Sequence, residues 1–143
     1  MPQQGNLPEI RKTIVLQAPI EKAWKAIATS EGIAAWWMAN TFEPVVGHRF
    51  ILQSEQFGDS PCLVTEIEPM HCVGFDWGKD WHLRFQLQPL EDGVTEFTLI
   101  HSGWDDAKTT EFGQPHAVIR NIMNGGWDSI VNVNLVRYVG GLK

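Results

Sequence analysis

The stretch that decides the fold runs from His116 to Val139 and reads HAVIRNIMNGGWDSIVNVNLVRYV. At about 100° per residue, its apolar side chains occupy one sector of a helical wheel and its polar side chains occupy the opposite sector. The apolar sector contains Ile119, Ile122, Met123, Gly126, Trp127, Ile130, Val131, Val133 and Tyr138. The polar sector contains Asn121, Asn124, Asp128, Ser129 and Asn132. Because Pro115 precedes the stretch and Gly140-Gly141 follow it, we predict one long amphipathic helix with both ends marked.

Two adjacent glycines, Gly125 and Gly126, interrupt this predicted helix. Each costs about 1 kcal/mol of helix stability relative to alanine. Gly126 falls in the apolar sector beside Trp127. One interpretation is that another backbone approaches the helix closely at this point, and the other is that the glycines keep a notch open for a bound molecule.

The chain before this helix opens with one predicted strand and two predicted short helices. The strand covers residues 10–17, which alternate in polarity and contain a β-branched cluster. The helices cover residues 20–29 and 31–38, the second with Ser30 as its N-cap. The second helix ends in Trp36-Trp37, and adjacent residues of a helix cannot face the same direction. We therefore expect one of these tryptophans in the core and the other at an edge or over an opening.

From Glu43 onward, short segments with alternating apolar residues are separated by Gly, Pro and Asp. The predicted strands are 48–54, 61–68, 71–77, 82–90 and 94–101, with a turn at 56–60. Which side chains of residues 61–68 face inward stays open, because Val64 and Ile67 would lie on opposite faces of a regular strand. Short turns between successive strands indicate an antiparallel sheet of about six strands, whose apolar face needs cover. Only the long helix is large enough, which makes the predicted fold class α+β.

Length and charge limit the possible functions. The chain has 143 residues, which favours a single domain, here residues 10–139 between a flexible N-terminus at 1–9 and a tail at 140–143. Its net charge is -6 and its eleven Lys and Arg residues are dispersed. No basic stripe is available for a phosphate backbone, so we expect no nucleic-acid partner.

The sequence also bears on location and on the thiols. It has no basic and apolar leader pattern and no apolar run of membrane-spanning length. We therefore expect a cytoplasmic monomer without membrane insertion. Cys62 and Cys72 lack metal-site or redox spacing, so we interpret them as reduced, buried thiols.

No catalytic pattern stands out in the sequence. The five histidines lack metal-ligand spacing, and the glycines do not form a phosphate-binding loop, so we predict no metal and no cofactor. His101 shares the apolar parity of its strand and is either a hydrogen-bonded core residue or a ligand contact or proton-transfer group. Asp76 and Arg84 alternate away from the apolar face, so we interpret them as a solvated cross-strand pair rather than as catalytic partners of His101.

Four motifs in this order resemble those of a known family. They are Ala18-Pro19-Ile20-Glu21-Lys22-Ala23-Trp24, the Trp36-Trp37 pair, Glu66-Ile67-Glu68-Pro69 and His101-Ser102-Gly103-Trp104. Together with the order of elements, they resemble bacterial proteins similar to the activator of Hsp90 ATPase (AHSA1-like), in the START-like, Bet v 1-like (SRPBCC) helix-grip superfamily. The resemblance implies a curved sheet wrapped on the C-terminal helix, two short helices closing one end, and a cavity between sheet and helix. Such cavities hold lipids, sterols, polyketides or flavonoid-like molecules.

Aromatic content and the resemblance together predict a ligand site. The chain has seven Trp and seven Phe residues, and tryptophans often line apolar pockets. We place the site at Trp36, Trp37, Met38, Phe50, Trp77, His101, Met123, Trp127 and Ile130. Three functions follow as hypotheses: a stress-related binding protein for a hydrophobic small molecule, a small cyclase or hydrolase using the same cavity, and a chaperone-associated protein acting through its surface.

Overall fold

The computed structural model describes residues 9–54, 58–78, 81–91, 93–104 and 115–140. Seven strands and three helical regions make up this part of the chain. The strands are β1 (Ile10–Leu16), β2 (Ala39–Asn40), β3 (Arg49–Ser54), β4 (Gly58–Glu68), β5 (Cys72–Trp77), β6 (Trp81–Pro89) and β7 (Thr95–Ser102). The helices are α1 (Ile20–Ile27), α2 (Ser30–Trp36), α3 (His116–Ser129) and α4 (Val136–Gly140), the last two joined by a π-helical segment (Ile130–Leu135).

The strands form one curved antiparallel sheet in the order β1-β7-β6-β5-β4-β3-β2. This confirms the α+β helix-grip class, while the strand count differs from the predicted six. The additional strand is β2, in which Ala39 and Asn40 pair with Gln53 and Leu52 of β3. Two residues are too few to show an alternating pattern, so no sequence pattern indicates this strand.

Strand β4 differs from its prediction in two ways. It begins at Gly58, so residues 58–60, which were predicted to form part of a turn, pair with β3 instead. The register with β5 then shifts between Val64 and Glu66. Such a β-bulge reverses the parity of the residues that follow it. The bulge explains why Val64 and Ile67 gave conflicting parities.

The two short helices lie near their predicted positions, but the N-cap of α2 is Thr29. The Thr29 Oγ1 accepts a hydrogen bond from the Gly32 amide at 2.9 Å. The predicted cap, Ser30, instead donates its hydroxyl proton to the carbonyl oxygen of Asn40 at 2.9 Å. That bond ties the start of α2 to strand β2, which a local pattern cannot foresee.

The C-terminal helix is continuous from His116 to Gly140, as predicted, but its middle is π-helical. In an α-helix, residues four apart drift around the axis by about 40° per step. The wider turn of a π-helix opposes that drift. Residues at four-residue spacing can therefore stay on one side of the helix, and the buried apolar residues follow this spacing: Trp127, Val131, Leu135 and Val139, with Ile119 two steps before Trp127.

The buried face of this helix is consequently narrower than the wheel predicted. Ile122 and Val133 belong to the predicted apolar sector, yet they are 59% and 46% exposed. Gly126 is exposed as well, and neither it nor Gly125 has any atom within 4 Å of where a Cβ would lie. Among the described residues, no backbone approaches the glycines, and their open side faces away from the core. The close-approach interpretation is therefore wrong, whereas the notch for a bound molecule stays a prediction.

The hydrophobic core lies between the inner face of the sheet, α2 and the C-terminal helix. Trp36 is buried and its ring contacts those of Phe85 and Phe97, at centroid distances of 5.5 and 6.3 Å. Its indole Nε1 donates to the carbonyl oxygen of Ala26 at 2.7 Å. The two cysteines are free and buried, as predicted. No helix within the described ranges is both long and apolar enough to cross a membrane.

Candidate functional site

His101 stands at the centre of the aromatic residues at one end of the sheet. It lies near the end of β7, between Ile10 of β1 and Leu83 of β6, and its side chain is on the inner face with those of Phe97 and Leu99. Its exposed fraction is 0%. The alternation of β7 thus buries an imidazole where the pattern predicted an apolar position.

A hydrogen bond fixes the tautomer of His101. The indole Nε1 of Trp127, which can only donate, lies 3.0 Å from His101 Nδ1. Nδ1 is therefore the acceptor, and in the neutral ring the proton is on Nε2. Within the described part of the chain, this Nε2 has no hydrogen-bond partner. A buried N–H without an acceptor has lost its hydrogen bond to water and gained none in return. The Nε2–H of His101 can therefore donate to an acceptor from a bound molecule.

Burial, with smaller electrostatic contributions from Arg120 and His116, lowers the pKa of His101 to about 3. Burial acts because an apolar environment disfavours the charged imidazolium. The ring is therefore neutral near pH 7. A base this weak is poorly matched to general acid–base catalysis at neutral pH, where a pKa near the working pH is most effective.

Four tryptophans surround the His101 ring. Trp77 stacks on it at a centroid distance of 5.3 Å, and Trp104 lies at 4.5 Å. Trp81 meets it nearly edge-on at 5.2 Å, and Trp127 at 6.0 Å. We call these four tryptophans and His101 the aromatic cluster. Its rings come from β5, β6, β7, the residues after β7, and α3, so it exists only in the folded chain.

Trp104 reaches the cluster because the chain turns back after β7. Gly103 has a φ of 92°, a conformation that glycine adopts without steric cost. The Trp104 indole Nε1 then donates to the carbonyl oxygen of His101 at 3.0 Å. The Trp81 indole Nε1 is different, because among the described residues no acceptor contacts it, although Trp81 is buried.

The Trp36-Trp37 pair divides as the sequence predicted. Trp36 is buried in the core, while Trp37 is partly exposed at the end of α2. The Trp37 ring lies 5.0 Å from Trp127 and 5.3 Å from Trp77. Trp37 is therefore the link between solvent and the aromatic cluster.

The other predicted site residues take different positions. Phe50 is buried, and its ring lies 5.0 Å from that of Phe75. The Phe75 ring lies 6.5 Å from that of Trp37, so Phe50 packs on the side of the core next to Trp37. Met38, Met123 and Ile130 are partly buried and pack against the core. The structure thus brings Trp37, Trp77, His101 and Trp127 into direct contact, and it places the two methionines and Ile130 at the edge of the same core.

Sequence reasoning missed Trp81 and Trp104. Trp81 has the same parity as Leu83, Phe85 and Leu87, but the predicted strand began one residue too late to include it. Its parity was the signal that could have identified it. Trp104 follows the strand, and nothing in its neighbours predicts that it folds back onto His101.

The ionisable residues on the outer face pair differently from the prediction. Asp76 Oδ1 lies 3.0 Å from His82 Nδ1, its cross-strand neighbour. Arg84 instead forms an ion pair with Glu66 at 2.8 Å, and its Nε donates to the Cys72 thiol at 3.4 Å. The predicted Asp76–Arg84 pair is wrong, because Arg84 lies opposite Gly74, beside Glu66. Asp76 and Arg84 lie on the opposite face of the sheet from His101.

A sequence model for "Activator of Hsp90 ATPase homolog 1-like protein" matches residues 17–140. The chain belongs to this family. Its AHSA1-like fold is also found in a Bacillus halodurans protein of known solution structure, which is 42% identical with a TM-score of 0.85. That alignment covers 95% of this chain and 99% of the other.

Two further AHSA1-like neighbours share the fold at lower identity. The Aha1 dimer from Colwellia psychrerythraea is 22% identical, with a TM-score of 0.69 over 87% of this chain and 91% of its own. An Hsp90 activator from Plasmodium falciparum is 16% identical, with a TM-score of 0.70 over 88% of this chain and 92% of its own. No curated protein matches the chain.

Proposed function

We propose that this AHSA1-like protein binds a hydrophobic small molecule beside Trp37, next to the aromatic cluster. The ligand is lipid-, polyketide- or flavonoid-like in size and polarity. The observation that carries the proposal is Trp37 itself, a large apolar ring that stays partly exposed while it contacts buried aromatic rings of the sheet and of the C-terminal helix. An exposed indole in contact with a buried aromatic surface offers a ligand both an entrance and apolar area.

The residues around Trp37 support this position. Met38, Met123 and Ile130 are also only partly buried, and methionine side chains adapt their shape to different partners. The π-helical segment begins at Ile130, and π-helical turns are frequent at functional sites. A ligand of about 20 heavy atoms at roughly -0.3 kcal/mol per atom would bind with a free energy near -6 kcal/mol, in the tens of micromolar.

A shift-perturbation titration with flavone, anthraquinone and palmitic acid tests this proposal. Binding at the proposed site is expected to shift the indole resonances of Trp37 and Trp127 and the methyl resonances of Met38 and Met123. Trp37→Ala should weaken binding of the best probe at least tenfold, since it removes the entrance ring. Shifts confined to other surfaces would show that the site is elsewhere.

Trp24→Ala is the matched control. Trp24 is also a partly buried tryptophan on a short helix, but it lies on α1, and no ring of the aromatic cluster is among its contacts in the described structure. The same substitution there should leave probe affinity within about twofold. Equal losses in both variants would attribute the effect to general destabilisation.

A second function is chaperone association, which family membership and one surface favour. The outer side of the C-terminal helix exposes Val118, Ile122, Val133 and Val136. Apolar side chains clustered on one exposed face are typical of protein interaction sites. The partner would be an Hsp90-type chaperone, as for the Plasmodium falciparum neighbour described as an Hsp90 activator.

The ATPase rate of a purified bacterial Hsp90, measured with and without this protein, tests the second function. At least a twofold increase is expected, and Ile122→Lys should remove it because a charge then occupies the apolar face. Val46→Lys is the control, since Val46 is equally exposed but lies in the chain between β2 and β3. An unchanged ATPase rate at saturating protein would reject this function.

A further inference from the structure

Two buried nitrogen donors in the aromatic cluster have no acceptor. They are His101 Nε2 and Trp81 Nε1, and the part of the chain that the structure describes offers neither a hydrogen-bond partner. Both side chains are more than nine-tenths buried. Their rings lie 5.2 Å apart with their planes at 82°. Two unsatisfied donors so close together in one protein core are unusual, because each loses its hydration without gaining a hydrogen bond in return.

Both nitrogens present a proton. An indole nitrogen can only donate, and the Trp127 hydrogen bond to Nδ1 places the His101 proton on Nε2. The group that completes this position must therefore be an acceptor, which an ammonium group cannot be. A carbonyl oxygen has two lone pairs and can accept from both donors.

The surroundings define the rest of the ligand. The rings of Trp77 and Trp104 lie 5.3 and 4.5 Å from that of His101, so the adjoining surface is aromatic and suits a flat molecule. A carboxylate or phosphate would lose its hydration in this buried position at a high cost, whereas a neutral carbonyl loses little. The acceptor should therefore be uncharged.

We propose that His101 Nε2–H and Trp81 Nε1–H together bind the carbonyl oxygen of an uncharged, flat aromatic ligand such as a polycyclic ketone or quinone. This rests on the proposed function, because it concerns the polar end of the same ligand site. It adds a chemical class: molecules with a carbonyl acceptor at one edge of an aromatic ring system are preferred over hydrocarbons of the same shape.

The test compares 9-fluorenone with fluorene, which has the same ring system but no oxygen. Each is titrated into the ¹⁵N-labelled protein, and the Trp81 indole and His101 ring N–H resonances are followed. Fluorenone is expected to bind at least tenfold more tightly and to move both N–H resonances downfield, as hydrogen bonding does. Fluorene should bind without these shifts.

Two matched variants assign the preference to the donor pair. Trp81→Phe removes an unpartnered N–H and should reduce the ratio of the two affinities at least fivefold. Trp24→Phe removes an indole N–H on α1, outside the aromatic cluster, so the ratio should stay within twofold. If Trp81→Phe does not fold, the N–H shifts of the unaltered protein still decide the question.

The outcomes separate this proposal from the proposed function. Equal affinities for fluorenone and fluorene, with shifts at Trp37, would overturn the donor pair and leave the ligand site standing. Absence of binding by both probes up to their solubility would overturn both. A water cross-peak at the two N–H groups that persists with fluorenone bound would assign them to an internal water and also overturn the proposal.

Discussion

His101 combines a polar ring with an almost wholly aromatic environment, and its behaviour follows from that combination. Trp127 donates to one ring nitrogen at 3.0 Å, which orients the imidazole. Burial lowers its pKa to about 3. The residue therefore acts as a neutral, oriented group, which suits ligand binding better than proton transfer.

The depressed pKa predicts a pH dependence of stability. In the unfolded chain, the pKa of His101 returns to its ordinary value of 6.5, so between pH 6.5 and 3 the unfolded state binds more protons at this residue than the folded state. The contribution of the neutral His101 ring to the free energy of unfolding is fully present above pH 6.5 and is lost as the pH falls. Between pH 7 and 5, the free energy of unfolding should fall by about 2 kcal/mol because of this residue.

Urea denaturation of the wild type and of His101→Phe at pH 7 and pH 5 measures this contribution. The variant starts from a lower stability, because Trp127 loses its acceptor, but it lacks the titrating group. Its loss between the two pH values should therefore be smaller than that of the wild type by about 2 kcal/mol. Equal losses would show that His101 does not stay neutral in the folded state.

At the scale of elements, the C-terminal helix shows how a glycine pair and a π-helical segment fit one structure. Gly125 and Gly126 precede the π-helical segment, and nothing lies within 4 Å of a Cβ built on either residue. The glycines therefore cost helix stability without a contact that requires them within the described structure. Both glycines lie on the surface of the helix that faces solvent.

Alanine at these positions should stabilise the protein. Gly125→Ala and Gly126→Ala each restore helix propensity without a clash, so each should raise the free energy of unfolding by roughly 1 kcal/mol. Urea denaturation checks this. Ligand affinity should not change, because Gly126 is exposed. A loss of stability would mean that the glycines are needed for the helix geometry.

Gly32 of α2 is the opposing case. A Cβ there would lie 2.4 Å from the carbonyl oxygen of Lys25 and 2.6 Å from that of Ala26, so α1 and α2 would have to separate. Gly32→Ala should therefore lower the free energy of unfolding by about 1–3 kcal/mol. The same denaturation experiment measures it, and a neutral result would show that the two helices can move apart freely.

At the scale of the whole molecule, the inner face of the sheet depends on the C-terminal helix for cover. Five apolar side chains of the helix are buried: Ile119, Trp127, Val131, Leu135 and Val139. At about 1.5–3 kcal/mol each, their burial is comparable to the 5–15 kcal/mol by which domains are usually stable. The sheet and α2 alone would expose an aromatic surface to water.

Truncation before Pro115 should therefore unfold the protein. Residues 1–114 are expected to give a poorly dispersed NMR spectrum and no cooperative thermal transition, because the helix that covers the core is missing. The full chain under the same conditions is the control. A dispersed spectrum and a sharp transition from the truncated chain would show that the sheet has another source of cover.

The sequence by itself determined the fold class, the order of the elements and the candidate His101. Alternation and helical periodicity are local properties, so they identified β1, the later strands, α1, α2 and the extent of the C-terminal helix. The motif resemblance added the helix-grip arrangement, which the structure shows. The division of Trp36 and Trp37 between core and surface also followed from local geometry alone.

Only the tertiary structure decided which of these residues meet. The bulge in β4 follows from pairing with β5, and the exposure of Ile122 and Val133 follows from the narrow face on which the C-terminal helix is buried. Trp81 and Trp104 join His101 through contacts between separate parts of the chain, and sequence periodicity shows that Trp81 faces inward but not which residues it meets. The unpaired donors at His101 and Trp81 exist for the same reason: burial is a property of the assembled core and not of either residue.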